Sequence, residues 1–345
     1  MGKDWKDNLL SSGLPLEHVV STILEKNKIY SYGEYSYLRK KDKGVETERS
    51  IDINAATIIP SSCWFHFLIE CKYCHQSVKW FFPPISKGRR EHNLLEYGLI
   101  KFFEELCSSR IDYTGFARFE SALDLCSRGV EIHLKEKTDT TIKDGLYKLR
   151  YALPNKATEI VKRQLDARGD EDLNIELLIP ILLTTAPLYI INHEADVNSI
   201  QKAKDVNEIS ANVDSLVVYQ EPSIDLEEYT EILFKNISKH PSFITRLKEL
   251  NTLLNEHTSN KYFLDLDLHS NFKRLPAKIL VVNLDAFDKV IKKLLNIFKR
   301  SIKNYDKFAV LKSDWEEHKS FSETKTWFEK YEPNSLDDKK NMNNK

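Results

Sequence analysis

Asp52, Glu70 and Lys72 are the residues of this sequence whose types and spacing could carry a reaction. Residues 63–73 hold the apolar run Phe67, Leu68 and Ile69 and read as a strand. Side chains two apart on a strand share a face, so Glu70 and Lys72 project together. Residues 48–59 alternate around Ile51 and Ile53 and read as the partner strand, with Pro60, Ser61 and Ser62 between the two. A hairpin folded symmetrically about Ser61 places Asp52 opposite Glu70. Two carboxylates facing each other repel, and one lysine cancels only one unit of charge, so the pair calls for a cation between them. Oxygen ligands from Asp52, Glu70 and the backbone carbonyl of Cys71, completed by water, suit Mg²⁺ or Mn²⁺. Lys72 is then placed to orient or help deprotonate an attacking water, or to offset charge on a pentavalent phosphate.

The elements around this pair set its position. Residues 15–26 carry Leu16, Val19, Val20, Ile23 and Leu24 at helical spacing. Residues 28–39 read as one or two strand pieces interrupted by Gly33, with a turn at 40–44. Residues 79–84 are a short aromatic segment, stopped by Pro83 and Pro84, that leaves the sheet. A basic loop at 87–90, a helix at 93–106 and a strand at 129–134 follow. The spacing then predicts a long helix over 141–165 with a break near Pro154, and an apolar run over 176–192 broken at Pro180 and Pro187. A helix at 197–206 and a strand at 215–219 complete this part. After Glu221 and Pro222 come helices at 226–239 and 242–257, a strand at 278–283 and a helix at 284–303, read as an extension or second lobe. The polar tail 334–345 reads as disordered.

Ser50-Ile51-Asp52 followed by Glu70-Cys71-Lys72, with a helix before and a helix–strand pair after, resembles the PD-(D/E)xK, or restriction-endonuclease-like, nuclease superfamily. The resemblance implies an α/β fold with an αβββαβ core, a mixed sheet flanked by helices, over residues 14–220. It leaves residues of about 80–140 as an insertion and 221–333 as a mainly helical C-terminal region. It also implies Asp52 and Glu70 as metal ligands, Lys72 serving the water, and Glu17 of the first helix as a further metal ligand. The proline that the family places before the aspartate is replaced here by Ser50-Ile51. The implied function is a metal-dependent endonuclease hydrolysing DNA phosphodiester bonds, in defence or DNA processing. The alternative is a member that keeps the fold without cutting, as a DNA-binding or protein-interaction module.

With 51 basic and 52 acidic residues the net charge is −1, so no global positive field draws in nucleic acid and any DNA surface is local. Arg39, Lys40 and Lys41, the group Lys87, Arg89 and Arg90, and residues 289–303 are the basic clusters that would meet phosphate. A homodimer would pair two sites to cut both strands, and the C-terminal helices are where a partner protein would dock, although no heptad pattern is sustained. No apolar stretch approaches the ~20 residues that span a bilayer and the N-terminal residues are charged, so the expectation is a cytoplasmic chain with no membrane partner. Five cysteines, an odd number, fit reduced thiols. Cys71, Cys74 and His75 form a C-x-x-C-H string, but haem attachment needs export, and zinc on Cys71 and Cys74 with Cys63 or His75 lacks a second ligand pair. Trp80, Phe81 and Phe82 read as core or lid sooner than as a stacking surface for bases. There is no G-x-S-x-G elbow, and the ten glycines form no phosphate-cradling loop.

Overall fold

The two strands that carry the acidic pair are joined as their apolar alternation requires. β4 (Ile53–Ile59) runs antiparallel to β5 (Cys63–Lys72), with Ile53 opposite Ile69 and Ile59 opposite Cys63. That is the register symmetric about Ser61. The computed structural model describes residues 5–40, 46–59, 63–85, 98–103, 107, 111–112, 114–133, 137–167, 175–257, 269 and 272–303. Before β4 lie α1 (Trp5–Ser11), α2 (Leu14–Lys26), β1 (Tyr30–Ser31), β2 (Tyr35–Lys40) and β3 (Glu46–Ile51). After β5 come β6 (Lys79–Phe82), β7 (Lys101–Phe103), α3 (Thr114–Ser121), β8 (Leu125–Cys126), β9 (Val130–Ile132), β10 (Lys137–Thr138) and α4 (Thr140–Asp166). The chain continues through β11 (Ile175–Thr184), β12 (Leu188–Ile191), α5 (Val197–Lys202), β13 (Ser210–Val213) and β14 (Ser215–Tyr219). It closes with α6 (Ile224–Ser238), α7 (Pro241–His257), β15 (Lys278–Asn283) and α8 (Leu284–Lys303).

The main sheet is mixed, in the order β1-β4-β5-β11-β15-β14-β8, with β7 also on β11. β5, β11 and β15 are parallel neighbours, and Lys72, Thr184 and Asn283 end them in register along one edge. β11 is buried at every position, as a parallel strand covered on both faces must be. One face packs Leu68, Leu178, Leu182 and Val281 against Leu149, Ala152 and Leu153 of α4, with Leu226 of α6 and Phe243 of α7 behind. The other packs Phe65, Phe67, Ile181 and Leu280 against Leu16 and Val20 of α2, Phe116 of α3 and Phe287, Ile291 and Leu294 of α8. His66 enters the first face paired: its Nε2 lies 2.6 Å from Glu176 Oε2, which also binds Arg163. Burial lowers the pKa of His66 and keeps it neutral, while against burial the bonds from His66 and Arg163 hold the Glu176 carboxyl below its usual value.

Residues 48–59 do not form one straight strand. Ile51 and Ile53 are two apart and would share a face on a straight strand, yet Ile51 lies in the α4-side core and Ile53 in the opposite one. The chain turns over at Asp52, and β3 leaves the sheet to pair with β2 as a ribbon laid on α4. Tyr37 Oη of that ribbon donates to the Lys148 carbonyl at 2.9 Å, and Tyr35 Oη to Glu159 at 2.8 Å.

Other expectations are corrected. Within the expected helix 93–106, Lys101–Phe103 is a strand paired with β11, because β15 reaches only Ile181 and leaves the first half of that edge open; residues 93–97 and 104–106 lie outside the described residues. Pro180 does not break β11. It falls between the β7 ladder, ending at Leu178, and the β15 ladder, beginning at Ile181, where a missing N–H costs least. Pro154 does not break α4 either, since the helix is clamped by packing on both sides of it. Pro187 does separate two strands, β11 and β12.

The segment 79–82 leaves the main sheet as read, but for a second one, β10-β9-β6-β12-β13, where Trp80 and Phe82 are fully buried and Phe81 stacks on Tyr189 at 5.1 Å. Within the stretch expected as an insertion, about 80–140, β6 is thus paired with β12, from beyond the stretch. Of residues 221–333, expected as a separate C-terminal region, β15 lies between β11 and β14, inside the main sheet. The tail 334–345 lies outside the described residues. Among the described residues no helix is long and apolar enough to cross a membrane.

Candidate active site

Glu70 stands two residues before the end of β5, completely buried beneath α4 and near the edge where β5, β11 and β15 finish. Its Oε1 accepts from Lys72 Nζ at 2.9 Å and from Lys148 Nζ at 2.7 Å. Its Oε2 is buried with no hydrogen-bond partner among the described residues, whereas a buried carboxylate oxygen normally finds a donor. Asp52 sits at the corner between β3 and β4, one residue before the last ladder pair Ile53–Ile69, and its Oδ2 accepts from the Cys71 amide at 2.7 Å. On a strand the N–H and C=O of one residue open on the same edge, so the Cys71 carbonyl also opens toward Asp52. The Lys72 carbonyl points the other way and accepts from Thr185 N on the β11 side at 3.4 Å.

α4 supplies what the two strands lack. Asp144 and Lys148 are one helical turn apart and so share a face. Lys72 Nζ bridges Glu70 and Asp144, the latter at 2.7 Å. Side-chain exposure grades from 0% at Glu70 through 15% at Lys72 and 20% at Lys148 to 44% at Asp144, which places the mouth of the site beside α4. Burial and then the charge of Asp52 push the Glu70 carboxyl up, and burial pushes Asp52 up against the Cys71 amide and the two lysines. Glu17 of α2 is half-buried and is raised by burial and by Asp52, so a third carboxyl feels the same field. Burial would lower Lys72, but the charges of Glu70 and Asp144 outweigh it and hold the ammonium at about 12. The carboxyls outnumber the ammonium groups, and that excess favours a further cation.

Gly145 lets α4 approach this closely. A Cβ there would stand 2.6 Å from Leu182 Cδ1 and 3.2 Å from Lys72 Cε. Gly145→Ala is expected to destabilise the fold by about 1–3 kcal/mol through overpacking and to shift the Lys72 stem. Urea denaturation would measure the first effect; an unchanged midpoint would mean that α4 can lift off without cost.

The structure thus brings together Asp52, Glu70, Lys72 and the Cys71 backbone, with Glu17 at the flank. Lys148 and Asp144 were missed because an acid and a lysine four apart on a helix read as an ordinary surface pair. A covering helix beginning with Thr140 and carrying Gly145 was the available signal. Of the basic residues, Arg39 is turned inward: it pairs with Asp225 at 2.7 Å and lies over the Tyr151 ring at 4.1 Å. Lys40 ends β2, while Lys41, Lys87, Arg89 and Arg90 lie outside the described residues. Among the described residues no three His, Cys, Asp or Glu side chains stand together as metal ligands. Cys71 and Cys74 are buried in opposite cores, which separates the two thiols a zinc site would share. Comparison with protein-family models, curated proteins and solved structures finds no match for this chain.

Proposed function

We propose that this chain is a divalent-metal-dependent nuclease that hydrolyses DNA phosphodiester bonds at the Asp52–Glu70–Lys72 site, with a restriction-endonuclease-like core. The observation that carries the reading is the fully buried Glu70, with one carboxylate oxygen on two lysines and the other without a donor among the described residues, in the field of the Asp52 carboxylate. The element order supports it too: a helix, a three-stranded antiparallel part ending in β5, the covering helix α4, and β11 parallel to β5.

The donors fit Mg²⁺ or Mn²⁺. Glu70 Oε2, Asp52 and the Cys71 carbonyl are hard oxygens, Glu17 adds charge, and Mg²⁺ typically takes one or two carboxylates and keeps several waters. A bound divalent ion would supply Lewis-acid polarisation of the phosphate and lower the pKa of a water. The residues do the rest. Lys72 is protonated at neutral pH, so it serves as a fixed positive donor to the phosphoryl oxygens and not as the base. The attacking water forms a new P–O bond, the bond to the leaving oxygen breaks, the proton that water loses passes to solvent beside the half-exposed Asp144, and the leaving oxygen takes up a proton from solvent. The products are a phosphate monoester end and a hydroxyl end.

The test is cleavage of supercoiled and linear DNA with Mg²⁺ or Mn²⁺, with chelator as control and Asp52→Asn beside the wild type. Metal-dependent cutting that falls at least a hundredfold in Asp52→Asn is the expected result. DNA that is bound but uncut with either metal would shift the function to a binding module on the same fold.

A further inference from the structure

Lys148 and Lys72 hold the same oxygen of Glu70, but they are not equivalent. Lys72 has a second carboxylate, Asp144, and remains charge-paired if Glu70 is taken away. Among the described residues Lys148 makes its ion pair with Glu70 alone. Its neighbouring charges are a field and not a second contact: it lowers the pKa of Asp52 and of Glu17 from a distance. Its backbone is fixed, since the Lys148 carbonyl accepts from Tyr37 of the ribbon, but its side chain is 20% exposed at the mouth. A four-carbon stem anchored at one end and open at the other can swing its ammonium into water with little loss.

We propose that Lys148 is the resident counter-cation of this site, neutralising Glu70 until a divalent ion binds, and that the ion must displace it. The inference rests on the nuclease reading and deepens it. Two cations on one carboxylate repel, and a divalent ion at Glu70 and Asp52 makes the position of the Lys148 ammonium unfavourable, while Lys72 stays with Asp144. The displaced ammonium then stands at the mouth, where the anion it can meet is a phosphate of the substrate. Metal affinity is therefore held down in the absence of nucleic acid, a coupling of the usual 5–150-fold size for linked sites.

The measurement is calorimetric titration of the full-length protein with MnCl₂ alone, in the wild type and in Lys148→Met, Lys148→Arg and Glu70→Gln. Lys148→Met is expected to bind Mn²⁺ about tenfold or more tightly than the wild type, Lys148→Arg to stay near it, and Glu70→Gln to lose the site. A residue that merely supported the fold would give weaker binding or none when removed, so the sign separates the roles. Thermal unfolding checks each variant, and Lys148→Gln replaces Lys148→Met if the latter does not fold. If the wild type binds Mn²⁺ through Glu70 and Lys148→Met, or Lys148→Gln in its place, does not tighten it, this inference falls and the nuclease reading stands. If no variant binds Mn²⁺ in a way that Glu70→Gln removes, both fall.

Discussion

Glu70→Gln is expected to lower metal-dependent DNA cleavage by about a thousandfold or more, the several kcal/mol of charge stabilisation that a bound metal contributes. The substitution keeps shape and volume, so the fold should survive: Lys72 retains Asp144, and Lys148 can turn to solvent. A stability loss of about 1–2 kcal/mol is expected from the lost charged hydrogen bonds. Added Mn²⁺ should raise the melting temperature of the wild type and leave that of the variant unmoved, because only a ligand that binds the folded state stabilises it. The pH dependence has a definite sign. Glu70 and Asp52 are both raised, so they take up protons at a higher pH than ordinary carboxyls, and metal binding should fade as pH drops through that elevated range. Full activity in Glu70→Gln would sink the site assignment, however the DNA is bound.

The hairpin that carries this site was legible because its alternation allows only one register. A slip by one residue would turn Phe65, Phe67 and Ile69 from the core under α2 and α8 into the one under α4, and would carry His66 and Glu70 away from their partners. The bend at Asp52 was not legible, since apolar residues continue on alternate positions through it; only the two cores on either side of the sheet show that Ile51 and Ile53 face opposite ways. Lys148 and Asp144 were hidden for a different reason. Periodicity gives the face of a helix, and which strand that face covers is decided by the βαβ crossover from β5 to β11. β15 was readable as a strand, but its place between β11 and β14 depends on contacts far apart in the chain.

A second group of charges was also invisible in the sequence, and it sits in the core with no tie to the proposed chemistry. Lys101 begins β7 and Lys278 begins β15, and both strands lie along the same edge of β11, on either side of Pro180. Glu120 of α3 stands with them: its Oε1 binds Lys278 Nζ, and its Oε2 accepts from Leu99 N at 2.7 Å. Lys101 Nζ donates to the Gly98 carbonyl at 2.5 Å. Burial drives Lys101 down to about 7 and lowers Lys278, with Glu120 opposing the shift in each case. One carboxylate thus serves two buried lysines.

Glu120→Gln should accordingly be among the most destabilising changes in the protein. It keeps an acceptor for Leu99 N but leaves both ammonium groups without a counter-charge, for which the expected loss is about 3–5 kcal/mol at neutral pH. The loss should shrink as pH rises. A lysine whose folded pKa lies below its unfolded value of about 10.4 binds its proton in the unfolded chain and not in the folded one between the two values. Stability therefore rises with pH across that window, from about 7 upward for Lys101 in the wild type, and the cost is fully present below it. In the variant both folded values drop further; for Lys101, already near 7, this costs stability mainly at and below pH 7, and the rest of the deficit comes from Lys278 and closes as pH rises past that lysine's wild-type folded value. Urea denaturation of both at steps from pH 7 to 10 reads this directly. A deficit under about 1 kcal/mol, or one that does not change with pH, would mean that Lys101 and Lys278 are solvated in the folded state and that Glu120 does not hold them.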